Sequence, residues 1–214
     1  MEFSKFEKQI VKISKMELPG ETSHLEMAPI ERLLELKKKA RGKNTARKAA
    51  VLALFYPSQK DETTSLVLIL RKTYKGVHSA QIGFPGGKVE SDDLDILDTA
   101  LRETEEEIGI TRDKIKVLKE LTEIYIPPSN FFVQPFFGIS NQKLDFIPQD
   151  SEVEAIIEVP LSQFMNDTVL VTKTLTTSYA IEIQVPAFLL NKQVVWGATA
   201  MMLNEIRLML KQII

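Results

Sequence analysis

The feature that most narrows what this chain can become is the run from 84 to 110, FPGGKVESDDLDILDTALRETEEEIGI, a glycine-rich turn followed by a helix with glutamates along one side. At about 100° per residue on a helical wheel, Leu94, Leu97, Leu101, Thr104 and Ile108 share one broad sector, and Glu103, Glu106 and Glu107 fall on nearly the opposite one. One face is therefore expected to bury against a sheet while the other gathers three carboxylates.

Such a gathering needs a reason. Two like charges about 4 Å apart repel by roughly 4 kcal/mol at an effective dielectric near 20, and a divalent cation removes that cost. Magnesium suits the grouping because it prefers hard oxygen ligands and keeps coordination positions for water and phosphate. Manganese accepts the same ligands, so the sequence leaves Mg2+ or Mn2+ open. Arg102 stands beside the glutamates and is expected to hold one of them by a charge-assisted hydrogen bond. A solvated acidic face would explain the glutamates alone, and an ordinary turn would explain Gly86 and Gly87 alone. Their joint occurrence, with Arg102-Glu103 and Glu106-Glu107-Ile108-Gly109, points to a site in which glycine lets backbone approach a ligand.

Composition removes several competing chemistries. The 214 residues contain no cysteine and only two histidines, His24 and His78, which excludes disulfides, thiolate metal sites, a cysteine nucleophile and a zinc cluster. A formal net charge of -2 provides no overall attraction to nucleic acid or an anionic membrane. The opening MEFSKFEKQIVKISK is too charged for a signal peptide and no apolar run is long enough to span a bilayer, so a cytoplasmic protein is expected.

Around the glutamate segment the pattern is mixed. Phe6, Ile10 and Ile13, then Ile30, Leu33, Leu34 and Leu36 after the Pro19-Gly20 break, predict a two-helix arm. The basic run Lys37, Lys38, Lys39, Arg41, Lys43, Arg47 and Lys48 reads more simply as a solvated helix end and loop than as an anion site. AAVLALFY and SLVLILR predict a buried hairpin across the polar segment 57–64. Further strands are expected at 116–126, 131–139, 155–159, 168–172 and 181–186, and a last helix over 198–214. Strands interleaved with helices, without a regular βαβ repeat, predict an α+β fold with a mixed β-sheet between helices. The expected division is a helical extension over 1–45 ahead of a domain over 46–214. Met201, Met202 and Met209 in the last helix either pack internally or line a homodimer surface.

The central segment resembles the Nudix box, a glycine, five residues, a glutamate, seven residues, then an R-E-U-x-E-E-x-G-U run in which U is apolar. Gly87, Arg102, Glu103, Glu106, Glu107, Gly109 and Ile110 match it; Asp93 stands where the first glutamate is expected, Thr104 replaces an apolar residue, and the interval from Asp93 to Arg102 is one residue longer. The resemblance implies a Nudix-like α/β/α sandwich, Glu103, Glu106 and Glu107 as metal ligands, and Glu103, Glu106 and Arg102 as the catalytic group.

The flanks are similar to the coenzyme A diphosphatase branch, at Leu68 to Lys72, His78 to Gly87, Pro128 to Phe136, Glu152 to Leu161 and Val195 to Ala200, with Ala80 and Lys72 departing from its signature. That similarity implies metal-dependent hydrolysis of coenzyme A to 3',5'-ADP and 4'-phosphopantetheine. Arg71, His78, Gln81, Gly86 and Gly87 are then the expected substrate-binding residues; solvation of Arg71 and a structural loop role for His78 are equally open. Glu90 is either a fourth acidic neighbour of the metal or a surface residue, and Trp196 is expected to anchor packing. Two alternatives stay open: a Nudix hydrolase of ADP-ribose, a dinucleotide or a nucleoside triphosphate, since fold and box do not set substrate, and a non-catalytic ligand sensor.

Overall fold

A computed structural model describes residues 1–29, 45–72, 81–175 and 182–214. The predicted helix over 30–36, most of the basic run, and His78 lie outside the described residues.

The predicted hairpin forms as β1 (Arg47–Pro57) and β2 (Thr64–Arg71), antiparallel at Phe55↔Leu66. Both strands are buried on two sides, which is why they read as continuous apolar runs. β3 (Ile82–Gly83) pairs with β2, and β4 (Gly86–Lys88) pairs with the first half of β1. On the other edge of β1 lies β7 (Phe131–Ile139), parallel to it from Arg47↔Phe131 to Phe55↔Ile139. β5 (Lys116–Glu120) and β6 (Ile124–Ile126) both run antiparallel to β7, and β8 (Val153–Pro160) pairs with β2. Together they make one mixed sheet, while β9 (Leu170–Leu175), β10 (Ile183–Leu190) and β11 (Gln193–Trp196) form a smaller antiparallel one.

Alternation along β1 sorts the molecule into layers. Ala50, Leu52, Leu54 and Tyr56 face α3 (Ile96–Ile108), whose Ala100 and Ile108 bury against them. Ala49, Ala53 and Phe55 face α1 (Phe3–Ile10) and α5 (Gly197–Leu210) on the other side. Phe6 packs on Phe55 and Phe55 stacks on Phe137, with ring centroids 5.4 and 4.9 Å apart. The expected α/β/α sandwich is present. The chain also makes two short helices, α2 (Glu21–Leu25) between α1 and β1 and α4 (Leu161–Phe164) after β8.

Three expectations change. The run read as one strand over 116–126 is two, because beyond the Leu121 N–H, which still donates to Pro135 of β7, Thr122 turns to the buried Glu205 of α5 through its N–H, at 3.2 Å, and its hydroxyl, at 2.5 Å. β11 was not anticipated, since four residues are too few for a pattern of alternation to register. Leu94, placed on the buried helix face, is 89% exposed: α3 begins two residues later, capped by the Asp95 carboxylate, which accepts the Asp98 N–H at 2.8 Å. Of the two readings of Met201, Met202 and Met209, internal packing holds, since all three are buried within the chain.

Candidate active site

The site forms where the edge of α3 meets the start of β4. At Gly86 φ is 146°, and a Cβ there would fall on the Ala50 carbonyl oxygen and the Val51 backbone. At Gly87 a Cβ would occupy the space of the Glu103 carboxylate. Both glycines are therefore required by close approach, the first of strand to strand and the second of strand to carboxylate.

The three glutamates have different surroundings. Glu107, 1% exposed, accepts the Gly86 N–H at 2.7 Å and Nη1 of Arg71 at 2.7 Å. The other arm of the Arg71 guanidinium donates to the Gly86 carbonyl at 2.6 Å. Burial outweighs these partners and pushes the Glu107 carboxyl up to about 7. Glu103 lies over Gly87, 3.2 Å from Arg102. Burial raises its carboxyl above the ordinary value, Arg102 opposes, and the negative charges of Glu106 and Glu152 add to the rise. Glu106 is the outermost, with its side chain 56% exposed and 3.1 Å from Arg102.

Arg102 ties this edge together. Its Nε and Nη2 donate to Asp93 at 2.7 and 3.1 Å, its Nη2 also reaches the Lys88 carbonyl, and its Nη1 reaches Glu106. The Asp93 side chain is buried and also accepts the Thr99 hydroxyl and the Glu90 N–H at 2.7 and 2.8 Å. Arg102, with these hydrogen bonds, holds the Asp93 carboxyl well below the usual carboxylate range. Asp93 is thus the anchor that aims Arg102, a role its position in the sequence left open. Glu152 went unread as a site residue. The signal available was its place one residue ahead of β8, whose Val153 pairs with Arg71.

Of the expected substrate-binding residues, Gly86, Gly87 and Arg71 come together here. Gln81 is half-buried beside them, its carbonyl accepting the Arg71 N–H at 3.0 Å. Glu90 is exposed. Trp196 is half-buried at the entry to α5.

Among the described residues no three carboxylate or imidazole groups already converge on one point. The donor set nevertheless fits a hard divalent cation: Glu106 carries its oxygens at the mouth, Glu107 lies buried behind it, and the missing Cβ of Gly87 gives the partly exposed Glu103 carboxylate its place between them. Burial first, and the negative charges of Glu106 and Glu152 after it, disfavour the ionised Glu103, and a cation would offset both.

A mixed-sheet sandwich that lodges a glutamate-bearing helix edge against a diglycine strand start defines a class of proteins. The NUDIX domain model matches residues 46–176, and the chain belongs to the Nudix hydrolase family. It is 31% identical to an uncharacterized Nudix hydrolase, NudL, of Pectobacterium atrosepticum, over 82% of this chain and 88% of that protein. The corresponding NudL of Yersinia pestis is 30% identical over 76% of this chain and 79% of its own length. In fold the chain is similar to a MutT/nudix family protein from Enterococcus faecalis, with a TM-score of 0.51 and 13% identity, covering 92% of this chain and 76% of that one.

Proposed function

We propose that this Nudix hydrolase cleaves the diphosphate of coenzyme A or a derivative, giving 3',5'-ADP and 4'-phosphopantetheine. The observation that carries the reading is the Arg71 fork. It joins the upstream segment, Leu68 to Lys72, to Glu107 and Gly86 of the Nudix box through two hydrogen bonds, so the segment that resembles the coenzyme A branch and the segment that resembles the general box are parts of one site.

In this reading Glu103, Glu106 and Glu107 hold Mg2+ or Mn2+. When bound, the cation neutralises diphosphate charge and lowers the pKa of the attacking water. The chain's own residues do the rest. The Gly86-Gly87 backbone lies against the diphosphate, Glu103 or Glu106 takes the proton of the water, and Arg102, aimed by Asp93, keeps both carboxylates in place. Arg71 acts here by fixing Glu107 more than by meeting phosphate, since both arms of its guanidinium already have partners. The chain divides in this reading into an amino-terminal extension over 1–45 and a hydrolase domain over 46–214. Among the described residues no helix is long and apolar enough to cross a membrane, and a small-molecule substrate needs none.

The test is to incubate wild type and Glu106→Gln with coenzyme A, ADP-ribose, a diadenosine polyphosphate and a nucleoside triphosphate, with magnesium, manganese or chelator, and to identify products by mass. Metal-dependent release of 3',5'-ADP that is lost in Glu106→Gln is expected. Cleavage of other substrates only would refute coenzyme A, and turnover of none would favour a sensor.

A further inference from the structure

Beyond the glutamate edge, the sheet surface on the α3 side continues outward as a row crossing four strands. The Val89 N–H donates to the Lys48 carbonyl at 3.0 Å, Lys48 is registered with Phe132, and Phe132 with Tyr125. Alternation puts this row on the same face as Ala50, Leu52 and Phe136, which pack under α3. Gly87, registered with Ala50, lies one step inward on that face, beneath Glu103.

The row is unlike the covered positions further in. Lys48 is exposed, Val89 is 39% exposed, and Phe132 and Tyr125 are only half-buried. The two rings lie 5.0 Å apart, inclined at 41°. Their frame is tied down: the Tyr125 hydroxyl bonds to Asn130 at 2.9 Å, and the Asn130 side-chain amide to the Thr45 carbonyl at 3.2 Å. On the reverse face Arg47 lies 4.2 Å over the Phe131 ring.

Spacing gives the row its meaning. Phe132 stands two strands across and two residues out from Gly87, which at about 4.8 Å per strand and 3.3 Å per residue is roughly 12 Å. That is the reach from a diphosphate, through a 5'-phosphoryl ribose, to the base. Half-exposed aromatic rings offer a π-face to any base, and a lysine beside them offers a point charge to a further phosphate.

We propose that Phe132 and Tyr125, with Lys48, form a nucleoside subsite: the rings take the base, and the lysine takes a phosphate monoester separate from the diphosphate that is cleaved. The subsite rests on the reading of a nucleotide-linked diphosphate substrate, and it gives that reading its selectivity. Substrates bearing a monoester on the ribose are held at two points beyond the reacting centre, and those lacking it at one.

The test is equilibrium binding of the product half alone. Adenosine 3',5'-bisphosphate and 5'-AMP are titrated into wild type, Phe132→Leu, Phe132→Tyr and Lys48→Ala, with turnover of coenzyme A measured in parallel. Phe132→Leu is expected to weaken both ligands about tenfold, and Phe132→Tyr to retain them. Lys48→Ala is expected to weaken the bisphosphate about fivefold and 5'-AMP hardly at all. If Phe132→Leu lowers the melting temperature, Tyr125→Leu reads the same ring pair from the neighbouring strand. Wild type that binds neither ligand, or ring variants that melt as wild type and bind unchanged, would overturn the subsite. Equal losses for both ligands in Lys48→Ala would overturn the role of the lysine. The predicted binding pattern without turnover of coenzyme A would uphold the subsite while sinking the substrate assignment.

Discussion

A methyl group added at Gly87 would stand where the Glu103 carboxylate is. Gly87→Ala should therefore displace Glu103 and lower kcat by roughly a hundredfold, as misplacement of about an ångström does, with the melting temperature little changed because Gly87 is not in the packed core. Steady-state rates and a thermal melt check both halves. Arg71→Ala is a different case. It leaves Glu107 buried with only the Gly86 N–H, and removing one partner of a buried pair costs about 3 kcal/mol, at the low end of the usual range since Arg71 itself is partly exposed. Denaturant unfolding should register that loss, and Arg71→Lys should recover only part of it, because one ammonium cannot span the carboxylate and the carbonyl as the fork does. Residue identity alone carried much of this site. Gly86, Gly87, Arg102 and the three glutamates were legible in their spacing, and the fold sets them along one edge of α3 beside β4, though among the described residues no three carboxylates meet at one point. What spacing cannot express is which glutamate is buried. The wheel placed Glu103, Glu106 and Glu107 in one sector, yet Glu107 is enclosed and Glu106 open, a difference set by β4 and Arg71.

At the scale of elements, α5 is joined to the rest of the molecule by Glu205. Its side chain is fully buried and accepts the Thr122 hydroxyl and N–H, the Gly20 N–H and a bond to Nε2 of His24 at 3.4 Å. Burial alone would raise this carboxyl, but the bonds from His24 and Thr122 outweigh it and hold it below the ordinary glutamate range. A depressed folded-state pKa contributes stability that is complete above the unfolded value, about 4.3, and is lost as pH falls through the folded one. Unfolding free energy of wild type should thus decline on acidification below about pH 4.3. The charge-neutral Glu205→Gln should lack that component and be less stable at neutral pH by about 2 kcal/mol; matched acid titrations of the two proteins measure it. Strand periods were readable where strands are long, as in β1, β2 and β7. The β5–β6 break was hidden because its cause, a carboxylate on a helix some eighty residues later, is tertiary.

For the whole molecule, the amino-terminal arm is part of the core. Phe3, Phe6, Ile10 and Ile13 are buried in the same cluster as Phe55, Phe137 and Leu203, and the chain start bonds to the β1–β2 turn through Phe3 N–H to Glu62 and Thr64 N–H to Met1. Burying four such side chains stabilises by about 6 to 12 kcal/mol gross, comparable to the whole net stability of a domain. A chain lacking residues 1–29 should fail to unfold cooperatively, as calorimetry would reveal. The apolar spacing at Phe6, Ile10 and Ile13 announced a buried helix face, but not what it meets, since that depends on β1 and β7 presenting Phe55 and Phe137 to it. The central claim, that the α3 edge is a cation site built for diphosphate hydrolysis, is most directly tested by titrating Mn2+ into wild type, Glu103→Gln and Glu107→Gln and following free Mn2+ by paramagnetic resonance. Saturable binding by wild type is expected, with at least about tenfold weaker binding by both variants, of the order seen on loss of metal-site groups. Equal Mn2+ affinity in all three proteins would contradict it.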